Sequence, residues 1–153
     1  MDSELFKIVI TSSLTVFGGI FVFVSGQLLS RFFIDPIHEQ DKLLGETANL
    51  LILYANIWYS KENPPAIEDP FWKQIENASQ DLRQKASQLR GATYSIRGYR
   101  LFQGLQVIRL SQKDALEISR NLLGWSDHLL SGHAAGCISA RERIGKLLDI
   151  DVH

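Results

Sequence analysis

Between Lys7 and Arg31 the chain runs for 23 residues, Ile8 to Ser30, without an Asp, Glu, Lys or Arg. A helix of that length spans about 34 Å, enough to cross a hydrocarbon core with some tilt. A lone segment in lipid satisfies its backbone polar groups only as a helix. The hydroxyls of Thr11, Ser12, Ser13 and Thr15 can bond carbonyls one turn earlier, so they do not oppose insertion. The leading expectation is a membrane anchor over residues 1–34, with its span at about 8–30. A cleaved signal sequence competes, since Val24 and Gly26 are small enough for a cleavage site. Against it, the apolar run is long for that purpose and LLSRFFI continues it. The third reading is a buried core helix.

Basic residues near the ends of the run are Lys7 on one side and Arg31 and Lys42 on the other. That bias puts residues 35–153 in the cytoplasm. The single cysteine, Cys137, agrees with a reducing compartment and excludes an intramolecular disulfide framework. Within the run Thr11, Thr15 and Gly19 are spaced by four, with Gly26 one heptad further. Such a small-residue face lets two helices approach closely, and Gln27 at its inner end can bond across an interface.

Beyond the run the apolar spacing is helical. Asp35-Pro36 reads either as an N-cap and first helical residue or as a proline within one continuing helix. Ile37, Leu44, Ala48, Leu51, Ala55 and Trp58 then form a stripe, widened by Leu43, Leu50, Tyr54 and Ile57. The run LLILYANIWY is apolar enough to be buried on most sides. Residues 60–68, with Asn63-Pro64-Pro65, read as a loop. Asp69-Pro70 opens an amphipathic helix with Phe71, Ile75, Ala78, Leu82, Ala86, Leu89 and Thr93 inward. Ser111 to Asp114 resembles a capping box ahead of a helix with Ala115, Ile118, Leu122, Trp125 and Leu129 inward, ended or bent by Gly132. A last short helix carries Ile138, Ile144 and Leu148, with Glu142 and Lys146 as an i,i+4 pair. Only residues 96–110 admit a strand pair. The expected fold is all-α, one transmembrane helix followed by a small antiparallel helical bundle.

Charge is unevenly placed. From Asp35 to Asp81 there are nine acidic and three basic residues. From Arg83 to Lys113 there are seven basic residues and no acidic one. Aromatic and aliphatic residues interleave with these cations, a pattern suited to anionic lipid through Arg97, Arg100 and Arg109. The plainer reading is that the cations neutralise the acidic helix inside the bundle. The net charge of -1 and the lack of a reading motif argue against nucleic acid.

No phosphate loop, nucleophile elbow, HExxH or calcium loop is present. Cofactors and catalytic residues are not expected. His128, His133 and Cys137 with Asp127 form the best metal candidate, yet they fall short of a zinc ligand set, and no metal is expected. Ser126-Asp127-His128 are consecutive and cannot form a triad from one turn. Asn77-Ala78-Ser79 fits a glycosylation acceptor pattern.

The segments FVFVSGQLLSRFFIDPI (21–37), LILYANIWY (51–59), DLRQKASQLR (81–90) and SRNLLGWS (119–126) resemble a scattered group of small uncharacterised bacterial membrane proteins. In that group a span ending in Gly-Gln runs into a phenylalanine-rich turn and an Ile-Asp/Glu-Pro-Ile helix start. The resemblance covers roughly residues 15 to 128 and implies a bacterial inner-membrane setting. It brings no activity and no functional residues.

The expected function is non-enzymatic. A single-pass anchor would hold a helical domain that binds lipid and either a protein partner or its own copies. The candidate residues are Thr15, Gly19, Gly26 and Gln27 for helix pairing, and Arg97, Arg100 and Arg109 for the membrane surface. One alternative is an accessory subunit of a larger membrane complex, docked through LLILYANIWY. Another is a phage-type membrane toxin or lysis factor.

Overall fold

The computed structural model describes residues 2–59 and 69–150. Among these the backbone is helical with no strand. The chain divides into two compact units, 1–35 and 36–153. The expected loop at 60–68 lies outside the described residues.

The first unit holds α1 (Asp2–Leu29) and a π-helical turn, Ser30–Ile34. Its apolar side chains are open to the surroundings: Leu14, Phe17 and Phe21 are each at least 70% exposed. The reading of this run as a buried core helix is therefore overturned. The helix is long and apolar enough to cross a membrane. In the π turn the Asp35 amide donates to the Ser30 carbonyl, five residues back. Asp35 has helical dihedrals, φ -60 and ψ -44, so it is not an N-cap. In a regular α-turn the Pro36 ring would press on the Phe32 carbonyl, and the wider turn just before it opens that space.

The second unit is a helical bundle of α2 (Asp35–Leu53), α3 (Pro70–Ser95), α5 (Gln112–Ser131) and α6 (Ala134–Leu148). A short α4 (Tyr99–Gly104) lies in the link between α3 and α5. Cross-bonds give the directions. Gln40 meets Thr93, and Tyr54 meets Asp81, so α2 and α3 are antiparallel. Ser126 meets Ser79 and Ser119 meets the Ala86 carbonyl, so α3 and α5 are antiparallel too. Gly132, at φ +68, ends α5 and turns the chain into α6. Its left-handed conformation is one that a side chain would strain.

α3 and α5 approach closely because small residues face each other: Ala78, Ser79 and Ala86 against Ala115, Ser119 and Ser126, all buried. Trp125, Leu122, Ile75, Leu82 and Ile144 fill the space around them with Leu43, Leu50 and Leu51 of α2. Asp69 caps α3 as its spacing suggests, accepting from the Phe71 amide at 2.8 Å ahead of Pro70. Ser111 caps α5, accepting from the Asp114 amide at 3.1 Å. Its hydroxyl also donates to the Asp114 carboxylate at 2.6 Å, so the acid steadies the cap from the side.

Four expectations need correction. The buried face of α2 keeps Ile37, Leu43, Leu50 and Leu51 of the expected stripe, with Leu44, Tyr54 and Ile57 packed at its edge. It is completed by Gln40 and Thr47, while Ala48 and Ala55 are only half-buried and Trp58 is exposed. LLILYANIWY is buried on one side only, for Ile52, Leu53 and Trp58 are exposed. In α6 Ile138 faces out, and Cys137, Ala140 and Ile144 face in. Glu142 and Lys146 form no ion pair among the described residues.

Candidate functional site

The link from Ile96 to Leu110 is not a strand pair. Gly98, at φ +73, starts α4, and Gln106, at φ +58, turns the chain back after it. Ile96, Tyr99 and Ile108 form a small buried cluster around Ile37, with Phe102 packed against it. The link is thus pinned to the first turn of α2. A polar hub reinforces it. The Gln40 amide donates to the Thr93 hydroxyl at 3.0 Å and to the Tyr99 hydroxyl at 3.1 Å. The Tyr99 hydroxyl in turn donates to the Leu110 carbonyl at 2.9 Å. Burial pushes the Tyr99 phenol above its ordinary range, so it stays a donor further into alkaline pH.

The inward groups leave the outer face of the link apolar and basic. Tyr94, Leu101, Leu105 and Val107 are exposed, and so are Arg97, Arg100 and Arg109. The seven cations of this stretch divide in use. Lys85 bonds Glu46 of α2, and Arg83 pairs with Asp127 of α5 at 2.8 Å. Arg90, Arg100, Arg109 and Lys113 make no ion pair among the described residues. Internal neutralisation therefore accounts for Lys85 against the acidic helix but not for Arg100 and Arg109 beside α4.

In the first unit Thr15 bonds the Thr11 carbonyl at 2.9 Å, and Thr11 bonds that of Lys7 at 2.9 Å. Their hydroxyls are thus satisfied within the helix. Gly19 and Gly26 have open space where a side chain would stand. Gly26 and Gln27 line one depression with Ser30, Arg31 and Asp35, whereas Thr15 and Gly19 lie outside it.

The titratable candidates separate. His128 and His133 come together, but Cys137 turns to Tyr54, Trp125 and Arg141 on another side of the helix. His133 is the N-cap residue of α6 and not on its face, which is why the four-residue spacing to Cys137 does not align them. Burial pushes the Cys137 thiol up to about 11. Asp127 is committed to Arg83, and Ser126 is buried against Ser79. Ser79 is thereby enclosed, so the acceptor pattern at Asn77 lies mid-helix with its hydroxyl inaccessible.

Sequence reasoning missed two groups. Gln40 and Thr47 look like surface residues, and their partners lie in other segments or in the backbone. His128 and His133, grouped in the sequence with Cys137 and Asp127, come together through the Gly132 turn, and the other two do not join them. The chain matches no family model, no curated protein and no solved structure.

Proposed function

We propose that residues 8–30 cross a membrane once and tether a non-enzymatic helical domain whose α4 link rests on the lipid surface. The observation that carries this is the pinning of α4 to Ile37. Ile37 lies seven residues along the chain from Ser30, about 10 Å if that stretch is helical. The link packed on Ile37 presents Leu101, Leu105 and Val107 outward, and on this reading they would meet the lipid. Those side chains are apolar and uncovered, and the exposed cations beside them suit anionic headgroups, at about 1 kcal/mol each. Arg31 and Lys42 support a cytoplasmic domain, and a bacterial inner membrane is the setting proposed.

Held there, the bundle would act by binding a protein partner or a second copy. Exposed Ile52, Leu53 and Trp58 at the far end of α2 favour one further reading, an accessory subunit that meets a neighbour through this patch.

The test is amide hydrogen exchange of the full chain in nanodiscs of anionic or zwitterionic lipid. Residues 99–107 should exchange more slowly over anionic lipid, and replacing Arg97, Arg100 and Arg109 by Glu should remove the difference. Equal exchange in both lipids would sink the surface reading.

A further inference from the structure

At the turn between α5 and α6 the two imidazoles of His128 and His133 lie with ring centroids 5.0 Å apart and their Nδ1 atoms 3.3 Å apart. They stack over Gly136, where a Cβ would stand 2.5 Å from His133 Nδ1 and 2.6 Å from His128 Cγ. Beside them opens a cleft of about 320 Å³. Its floor is small residues, Gly124, Ala135, Gly136 and Ala140, and its polar wall is Asn121, His128, His133, Ser139 and Arg143.

No carboxylate lines this cleft. Of the carboxylates adjacent in sequence to its polar wall, Asp127 is held by Arg83 at 2.8 Å, and Glu142, beside Arg143, is exposed outside the lining. Arg143 makes no ion pair among the described residues, and Ser139 makes no hydrogen bond there. The first amides of α6 have no intrahelical acceptor, and His133 supplies no side-chain cap. A fixed guanidinium, two imidazoles, a hydroxyl and the positive end of a helix thus surround a space whose floor has little side-chain bulk. A cation is poorly served here, because the histidines are the only two metal-binding groups and Arg143 opposes it. A small tetrahedral oxyanion is served well.

We infer that this cleft binds a soluble phosphate-class oxyanion, free phosphate or a phosphomonoester group, between Arg143 and the His128–His133 pair. The oxyanion site goes beyond the membrane reading, and only the choice of a soluble source over a headgroup rests on that reading. His128 lies 17 residues along from Ser111, about 25 Å up α5, so the cleft is at the end of the bundle remote from α4. That position favours a ligand from solution over a lipid headgroup.

The test follows the histidine ring resonances of the full chain in zwitterionic nanodiscs during titration with inorganic phosphate. His128 and His133 should shift along one saturable curve while His38, exposed on α2, stays in place. Arg143→Met should weaken binding about tenfold, the size expected for one charge-assisted contact. Arg143 is exposed, so this variant keeps the fold, and its helical circular dichroism checks that. A shift that does not saturate, one that His38 shares, or one that Arg143→Met leaves unchanged overturns the inference. So does a response only to anionic lipid, which would make the ligand a headgroup.

Discussion

Gln40 and Tyr99, 59 residues apart, are joined by a buried hydrogen bond of 3.1 Å that ties the first helix of the bundle to α4. Neither group is spare. Gln40 is fully buried, and the Tyr99 hydroxyl also holds the Leu110 carbonyl. Removing the hydroxyl leaves an amide and a carbonyl short of a partner inside the protein. Tyr99→Phe should therefore cost about 1–3 kcal/mol in urea unfolding, although it deletes one atom. Gln40→Leu with Tyr99→Phe should cost less than the sum of the single changes, which a double-mutant cycle would measure.

Two glycines on helices should respond in opposite directions to alanine. At Gly91 nothing stands within 4 Å of the added Cβ, so Gly91→Ala should stabilise by roughly 0.5–1 kcal/mol. At Gly136 the Cβ meets both imidazoles at under 3 Å. The rings must move, and Gly136→Ala should destabilise by about 1–3 kcal/mol. Thermal unfolding of the pair would decide; a gain at Gly136 would show that the two rings are free to swing away.

Open space beside Gly19 and Gly26 has a consequence for assembly. The chain purified in mild detergent should sediment at a multiple of 17.3 kDa. Gly19→Leu fills the approach face without altering the helix and should shift most of it to single copies. A monomer before substitution would remove self-association through this face.

Alkaline pH should loosen the bundle. Burial lifts Cys137 from 9.0 to about 11. Burial and then the Asp81 carboxylate lift Tyr54 from 10.0 to about 12. Both folded-state values are raised, so the folded chain holds protons that the unfolded chain has released. Their stabilisation is whole below about pH 9 and falls as pH rises through 11 and 12. At pH 8 the Cys137 thiolate should be about a hundredfold scarcer than in the unfolded chain, and alkylation slower by at least that factor. Cys137→Ala should flatten the lower part of the stability profile.

The helices of this protein are legible where burial follows hydrophobicity. α3 and α5 face inward as their spacing suggests, because Leu82, Leu89 and Leu122 pack in one apolar cluster and need no polar partner. Asp69 and Ser111 act as caps because each has extended dihedrals directly ahead of its helix. The Asp35-Pro36 pair has the same chemistry with a different outcome, since a helix already runs into it and the π turn absorbs the proline. α2 misleads because two of its inward residues are polar, and what licenses Gln40 is Thr93 and Tyr99, more than 50 residues away. The sequence groups His128 and His133 with Cys137 and Asp127 but does not single out the pair. Its geometry depends on the left-handed Gly132 and the missing side chain of Gly136, which local spacing does not express.

The core of the bundle closes on α6. Trp125 and Leu129 share their cluster with Ile144, and Ile144 belongs to α6, which is made after the other described helices. At a synthesis rate of 5–20 residues per second, roughly ten seconds separate the end of α1 from the end of α6. For that interval Trp125 and its neighbours lack their final cover. On the membrane reading proposed above, the apolar helix would be available for insertion well before the domain behind it can fold, and a chain stopped short of Ile144 would leave an uncovered core, open to proteases.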